Sequence, residues 1–75
     1  MSTVDFTLNG EFVELNQLLK LVGVCDSGGA GKALVAEGLV TVDGRTELRK
    51  TAKIRAGQQV VCGKLRVRVL AGSGD

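Results

Sequence analysis

Gly28-Gly-Ala-Gly-Lys32 is the segment of this chain that looks most like a phosphate site. A phosphate-binding loop wraps backbone N–H groups around the anion. It sets a Lys on the outer phosphates and a Ser or Thr hydroxyl on Mg²⁺. Here Asp26 stands where that loop needs its first Gly, and Ala33 follows the Lys where the hydroxyl belongs. The segment therefore lacks the parts for nucleotide hydrolysis. It keeps a simpler capacity: a Gly-rich helix start with free N–H groups and a nearby Lys can contact a phosphate.

Other catalytic chemistry has little to work with. The chain has no His, the commonest general base and a common metal ligand. Cys25 has no His to activate it, and its neighbour is the acidic Asp26 rather than a cation. Asp26, Glu37, Asp43 and Glu47 show no metal-ligand spacing. Cys25 and Cys62 form no CxxC pair and are too few for a disulfide framework. They read as reduced, packed thiols of a cytoplasmic protein, with a single bridge as the open alternative. No apolar run reaches signal-peptide or membrane-spanning length. The expectation is a binding domain without catalysis, cofactor, metal, membrane or small-molecule substrate.

The basic residues are the remaining chemistry. Net charge is +2, but it is unevenly spread. Up to Gly38, Lys20 and Lys32 stand against Asp5, Glu11, Glu14, Asp26 and Glu37, a balance of −3. From Leu39 onward the balance is +5. Arg45, Arg49, Lys50, Lys53 and Arg55 lie close together, opposed only by Glu47, and Arg66 and Arg68 share the outward face of the last apolar run. Such asymmetry suits a polyanion, although solvated strand faces have the same composition. Forked or mobile cations on a stable scaffold grip phosphates. Stacking of single-stranded bases needs exposed aromatics. Only Phe6 and Phe12 exist, and both read as core, Phe6 from the apolar phase of its strand and Phe12 from its place beside Val13.

These residues need elements to hold them. Seventy-five residues make one small domain, and 44% hydrophobic residues suffices for one core. Val4, Phe6 and Leu8 alternate with polar residues, a strand, and Asn9-Gly10 turns the chain. Leu15, Leu18, Leu19 and Val22 form one helical stripe, which Gly23 ends. Asp26 or Ser27 can cap a second helix that runs to Glu37 and stops at Gly38. Its expected shared face is Ala30, Ala33, Leu34 and Glu37, with Lys32, Val35 and Ala36 elsewhere. Glycines at 28, 29 and 31 each cost up to about 1 kcal/mol in helix propensity. They ask for a reason, either close approach of the backbone to something or a loose start rescued by packing. Val40 and Val42 then alternate with Thr41, Asp43-Gly44 makes a hairpin, and Arg45–Leu48 is the candidate return strand. Arg49 to Lys53 reads as a loop. Ile54 to Gly57 leads into a turn, Gln59–Cys62 reads as a strand, Gly63-Lys64 turns, and Leu65, Val67 and Val69 mark the cleanest strand. Gly72 to Asp75 reads as a frayed tail.

The order of these parts resembles one family. Leu15-x₃-Leu19-x₃-Gly23-x₃-Ser27, then Lys32-x-Leu34-Val35, then Glu37-Gly38-x-Val40-x-Val42-Asp43-Gly44, with the later Lys53-Ile54-x-Ala56-Gly57-Gln58, is similar to the RNA-binding domain named after small-subunit ribosomal protein S-four. That domain is also called the αL motif. The similarity spans roughly residues 13–62, and the extra terminal strand looks like the free-standing bacterial form. The resemblance implies an α+β fold: two short helices packed on a small, mostly antiparallel sheet. It implies binding of structured RNA, ribosomal RNA being one candidate, beside the second helix start and the hairpin. Carried over by position, Ser27 would cap the second helix and Lys32 would face phosphate, with Gly28 and Gly29 offering N–H groups. Arg45, Arg49, Lys50, Lys53 and Arg55 would extend the basic surface. Gly28 and Glu14 stand where the family often has Arg. The alternative is a protein–protein adaptor that kept the fold, with a protein partner in place of RNA.

Overall fold

The Leu15, Leu18, Leu19 stripe forms as expected, on helix α1 (Leu15–Leu21). All three side chains are fully buried, and Val22 packs partly against them. The computed structural model describes residues 2–72. Helix α2 spans Gly28–Ala36. The strands are β1 (Ser2–Thr7), β2 (Val13–Glu14), β3 (Val40–Val42), β4 (Arg45–Thr46), β5 (Lys53–Ile54), β6 (Gln59–Cys62) and β7 (Leu65–Leu70). Five of them make one sheet in the order β1-β7-β6-β3-β4. All its pairings are antiparallel except β1 with β7, which run parallel. A separate ribbon joins β2 and β5, antiparallel, with Val13 opposite Ile54 and Glu14 opposite Lys53.

The two helices cover one face of the sheet. Leu8, Val35, Val40, Val60, Val67 and Val69 meet the α1 leucines in a single core, with Ile54 from the ribbon. Alternation along β7 behaves as its sequence demands: Val67 and Val69 are buried, and Arg66 and Arg68 face water. Arg68 is not free, because its guanidinium donates to both oxygens of Asp5, at 2.8 and 3.1 Å, across the parallel β1–β7 register. The Asp43-Gly44 hairpin has positive φ at both residues (52° and 84°), which matches the twist of the flanking strands. The Asp43 carboxylate also accepts from the Gln59 N–H and the Gln58 amide, so the turn is tied to the start of β6.

Four expectations are corrected. The return strand after the hairpin is two residues long rather than four: the Glu47 N–H still donates to the Val40 carbonyl at 3.0 Å, but Leu48 pairs with nothing in β3. Lys53 is not loop but strand, because β5 finds β2, whose two-residue length gives no periodicity to read. Phe12 is not core, being 39% exposed, whereas Phe6 is half-buried in β1. The packing face of α2 is also different from the one expected. Gly31 and Val35 are buried, Leu34 and Gly28 are half-buried, and Ala30 and Ala33 are exposed. Reading the helix by apolar side chains missed that its glycines are the contact. A Cβ on Gly31 would lie 2.7 Å from the backbone oxygen of Asn16, and one on Gly28 would lie 3.3 Å from the Asn16 and Gln17 side-chain nitrogens. The glycines let α2 press its backbone against the first turn of α1. Of the expected tail, residues 73–75 lie outside the described residues.

Candidate nucleic-acid interface

Helix α1 begins without a side-chain cap, since Glu14 makes no capping hydrogen bond. A helix start leaves four N–H groups seeking partners. Two of them are met by the basic segment: the Leu15 N–H donates to the Ala52 carbonyl at 2.9 Å, and the Asn16 N–H to the Lys50 carbonyl at 3.1 Å. The backbone of residues 50–52 is thereby pinned to α1 while the Lys50 side chain stays exposed. The first turn of α1 is also where α2 crosses at Gly28 and Gly31. Asn16 is the joint of this arrangement. It is 2% exposed, it binds Lys50 through its backbone, and its amide packs on Gly28. Its Oδ1 is buried without a hydrogen-bond partner. Sequence reasoning missed Asn16 because it sits inside a leucine stripe and carries no charge.

Ser27, rather than Asp26, caps α2, its Oγ accepting from the Ala30 N–H at 3.1 Å. Lys32 and Gly29 are exposed on this helix and Gly28 is half-buried. The capped start of α2 and the Lys50 loop are therefore fixed to one another through the first turn of α1. Lys53 and Arg55 project from the outer face of β5 and its extension, and both stand over the Phe12 ring, at 5.0 and 5.6 Å from its centroid. Arg45 lies apart from the helix start, on the edge strand β4, beside a shallow groove it shares with Glu47 and Gln58.

Arg49 differs from the other cations. Its guanidinium forks onto Glu47, with nitrogen–oxygen distances of 3.0 and 3.1 Å, and its backbone N–H donates to the same carboxylate. Those hydrogen bonds hold the Glu47 carboxyl below the usual carboxylate range. The Arg68 hydrogen bonds do the same to Asp5. Among the described residues these are the two ion pairs, so Lys32, Arg45, Lys50, Lys53 and Arg55 form none.

The pairs predict a pH dependence. A carboxylate with a depressed pKa stabilises the fold above its unfolded value and loses that contribution as pH falls through its folded value. With no His in the chain, thermal melting should be flat from pH 8 to pH 5. It should fall progressively below about pH 5, where unfolded Asp and Glu begin to take up protons. A melting temperature that changes steeply between pH 5 and 7 would contradict this reading.

Cys25 and Cys62 are free thiols and half-buried, as expected. The Cys25 Sγ donates to the Ser27 carbonyl at 3.3 Å. Burial pushes the Cys62 thiol up, with a smaller contribution from Cys25 nearby, so it is a poor nucleophile at neutral pH. Among the described residues no group of His, Cys, Asp or Glu could hold a metal, and no helix is long and apolar enough to cross a membrane.

The chain thus packs two helices on a mostly antiparallel sheet, with a tight hairpin and a basic loop pinned to the first turn of α1, and this is the fold of an S4 domain. The family model for that domain matches residues 6–70, and this chain belongs to the family. The chain is 51% identical over 59 residues to the RNA-binding protein YbcJ of Escherichia coli (strain K12), 79% of this chain and 84% of that one. YbcJ of Shigella flexneri matches to the same extent. The solution structure of YbcJ from E. coli, reported to reveal an αL motif involved in RNA-binding, is similar with a TM-score of 0.67 at 45% identity, covering 95% of this chain and 89% of that one. The family and the fold expected from the sequence are both confirmed.

Proposed function

We propose that this protein is a cytoplasmic, non-catalytic domain that binds structured RNA through its phosphate backbone. The observation that carries the reading is the pinning of the Lys50 loop and the Ser27-capped start of α2 onto the same turn of α1. Fixed cations beside a fixed helix start suit phosphates that are already regularly spaced, as in a hairpin or a helical junction. Lys32, Lys50 and Lys53 supply the charge, and Arg45 and Arg55 widen the basic surface. The N–H groups of Gly28 and Gly29 belong to those that a helix start leaves free to donate to an anion. Arg49 holds Glu47 and contributes less than its sequence position promises. The RNA-binding description of YbcJ from E. coli supports RNA as the polyanion.

Fluorescence anisotropy at one stated salt concentration tests this, since affinity without salt carries no meaning. A labelled hairpin should bind tighter than poly-uridine of equal length. Equal competition by poly-uridine would remove the preference for structured RNA. Absence of any RNA binding at low salt would leave the adaptor reading, which the exposed Leu39 and Leu48 beside the hairpin favour at 52% and 61% exposure.

A further inference from the structure

Phe12 is an aromatic ring left partly in water on a chain that has only one other aromatic, and that one packs against the core. Its position has a definite cause. It lies one step beyond the Val13–Ile54 pair of the β2–β5 ribbon, on the face opposite those two residues. Strand alternation places Lys53 and Arg55 on that same outer face, and both cations stand over the ring within the distance of cation–π attraction. The ribbon also fixes the ring relative to the Lys50 loop, because Ala52, the residue before Lys53, accepts the first N–H of α1.

Arg55, which stands over the ring, and Glu11, its chain neighbour, also line an open groove of about 620 Å³ together with Leu8 and Asn9. Arg55 gives this groove a cation on one wall, and its other polar side chains set it apart from a plain phosphate site. The Glu11 carboxylate repels an anion, while Asn9 and Glu11 both offer acceptors to the N–H groups on the edge of a nucleobase. A neutral planar ring fits this place, and the flanking phosphates fall to Lys53 and Arg55. We infer that Phe12, held by Lys53 and Arg55, is a stacking platform for one unpaired nucleobase of the bound RNA, whose edge enters the groove at Asn9 and Glu11. This deepens the RNA-binding reading and rests on it. It adds a bulged or flipped-out base to what the phosphate contacts recognise.

The test compares two labelled hairpins that differ by one bulged 2-aminopurine, at one salt concentration. Stacking of a base on an aromatic is expected to make the bulged hairpin bind tighter by about 5- to 150-fold. Phe12→Ala should remove that preference and leave affinity for the fully paired hairpin within about twofold, since no stacked base is lost there. Phe12→Tyr should retain the preference. Binding should quench 2-aminopurine fluorescence with the wild type and with Phe12→Tyr, and not with Phe12→Ala. Circular dichroism melting checks that each variant is folded. Phe12→Leu, which keeps an apolar side chain at this edge of the ribbon, replaces the alanine variant if that one does not fold. Equal affinity of the wild type for both hairpins, or quenching that survives loss of the ring, overturns the platform while phosphate binding stands. Failure of the wild type to bind either hairpin overturns the RNA reading and the platform together.

Discussion

Reversing the charge at Arg49, Lys50 and Lys53 together is expected to abolish RNA binding while the domain stays folded. All three side chains are exposed. Surface substitutions usually change stability by no more than about 0.5 kcal/mol, and loss of the exposed Arg49–Glu47 pair adds up to about 1 kcal/mol. The hydrogen bonds that pin the loop to α1 are accepted by the Lys50 and Ala52 carbonyls, which no side-chain change removes. Three exposed cation–phosphate contacts of about 1 kcal/mol each amount to on the order of 100-fold in affinity, and the new carboxylates repel the backbone as well. The salt dependence is the sharper signature. Two or three phosphate contacts give a slope of log affinity against log salt of roughly −2 to −3, which the triple variant should lose. Arg49 alone should matter least, because Glu47 already neutralises it. A folded triple variant with unchanged affinity would place any partner on another surface, with Leu39 and Leu48 the first to test.

The second large effect is on stability. Gly31→Ala puts a methyl 2.7 Å from the Asn16 carbonyl, closer than two such atoms can stand. The obstacle is backbone at both ends, so α2 must move away from α1 and the joint at Asn16 must open. Overpacking of this kind costs about 1–3 kcal/mol, against which the helix propensity of Ala returns up to about 1. In a domain of this size each kcal/mol lowers the melting temperature by roughly 4–8 °C. Gly29→Ala is the control. A Cβ there meets only the Ser27 Oγ at 3.8 Å, ordinary contact, so the variant should be neutral or slightly stabilised. If both variants melt alike, the close approach of the helices is not what the glycines are for. The Gly31 variant should also weaken RNA binding, because it separates the helix start from the Lys50 loop.

Much of this protein was legible before any coordinates. The α1 stripe, the stops at Gly23 and Gly38, the Asp43-Gly44 hairpin and the alternation in β7 are local facts. A period of 3.6 or 2, or a residue that tolerates positive φ, needs no distant partner to be recognised. The order of those signals was enough to find the family, and the charge asymmetry was enough to point to a polyanion. Tertiary structure alone decided the rest, wherever a residue's role depends on what it meets. The β2–β5 ribbon is two residues per strand and exists only because Val13 and Ile54 find each other across forty residues of chain. That pairing turned Phe12 out to solvent and set Lys53 and Arg55 over it, where its sequence neighbours Glu11 and Val13 gave no hint. Glu47 and Arg49 are close in sequence, yet nothing in that spacing says they must fork together rather than face solvent. The glycines of α2 left open a close approach or a loose start rescued by packing; only the fold shows that the backbone of Asn16 comes close, and that Ala30, Ala33 and Glu37, counted in the packing face, are exposed. Hydrophobic pattern records which side chains avoid water, and it is silent about contacts made by backbone where there is no side chain to read.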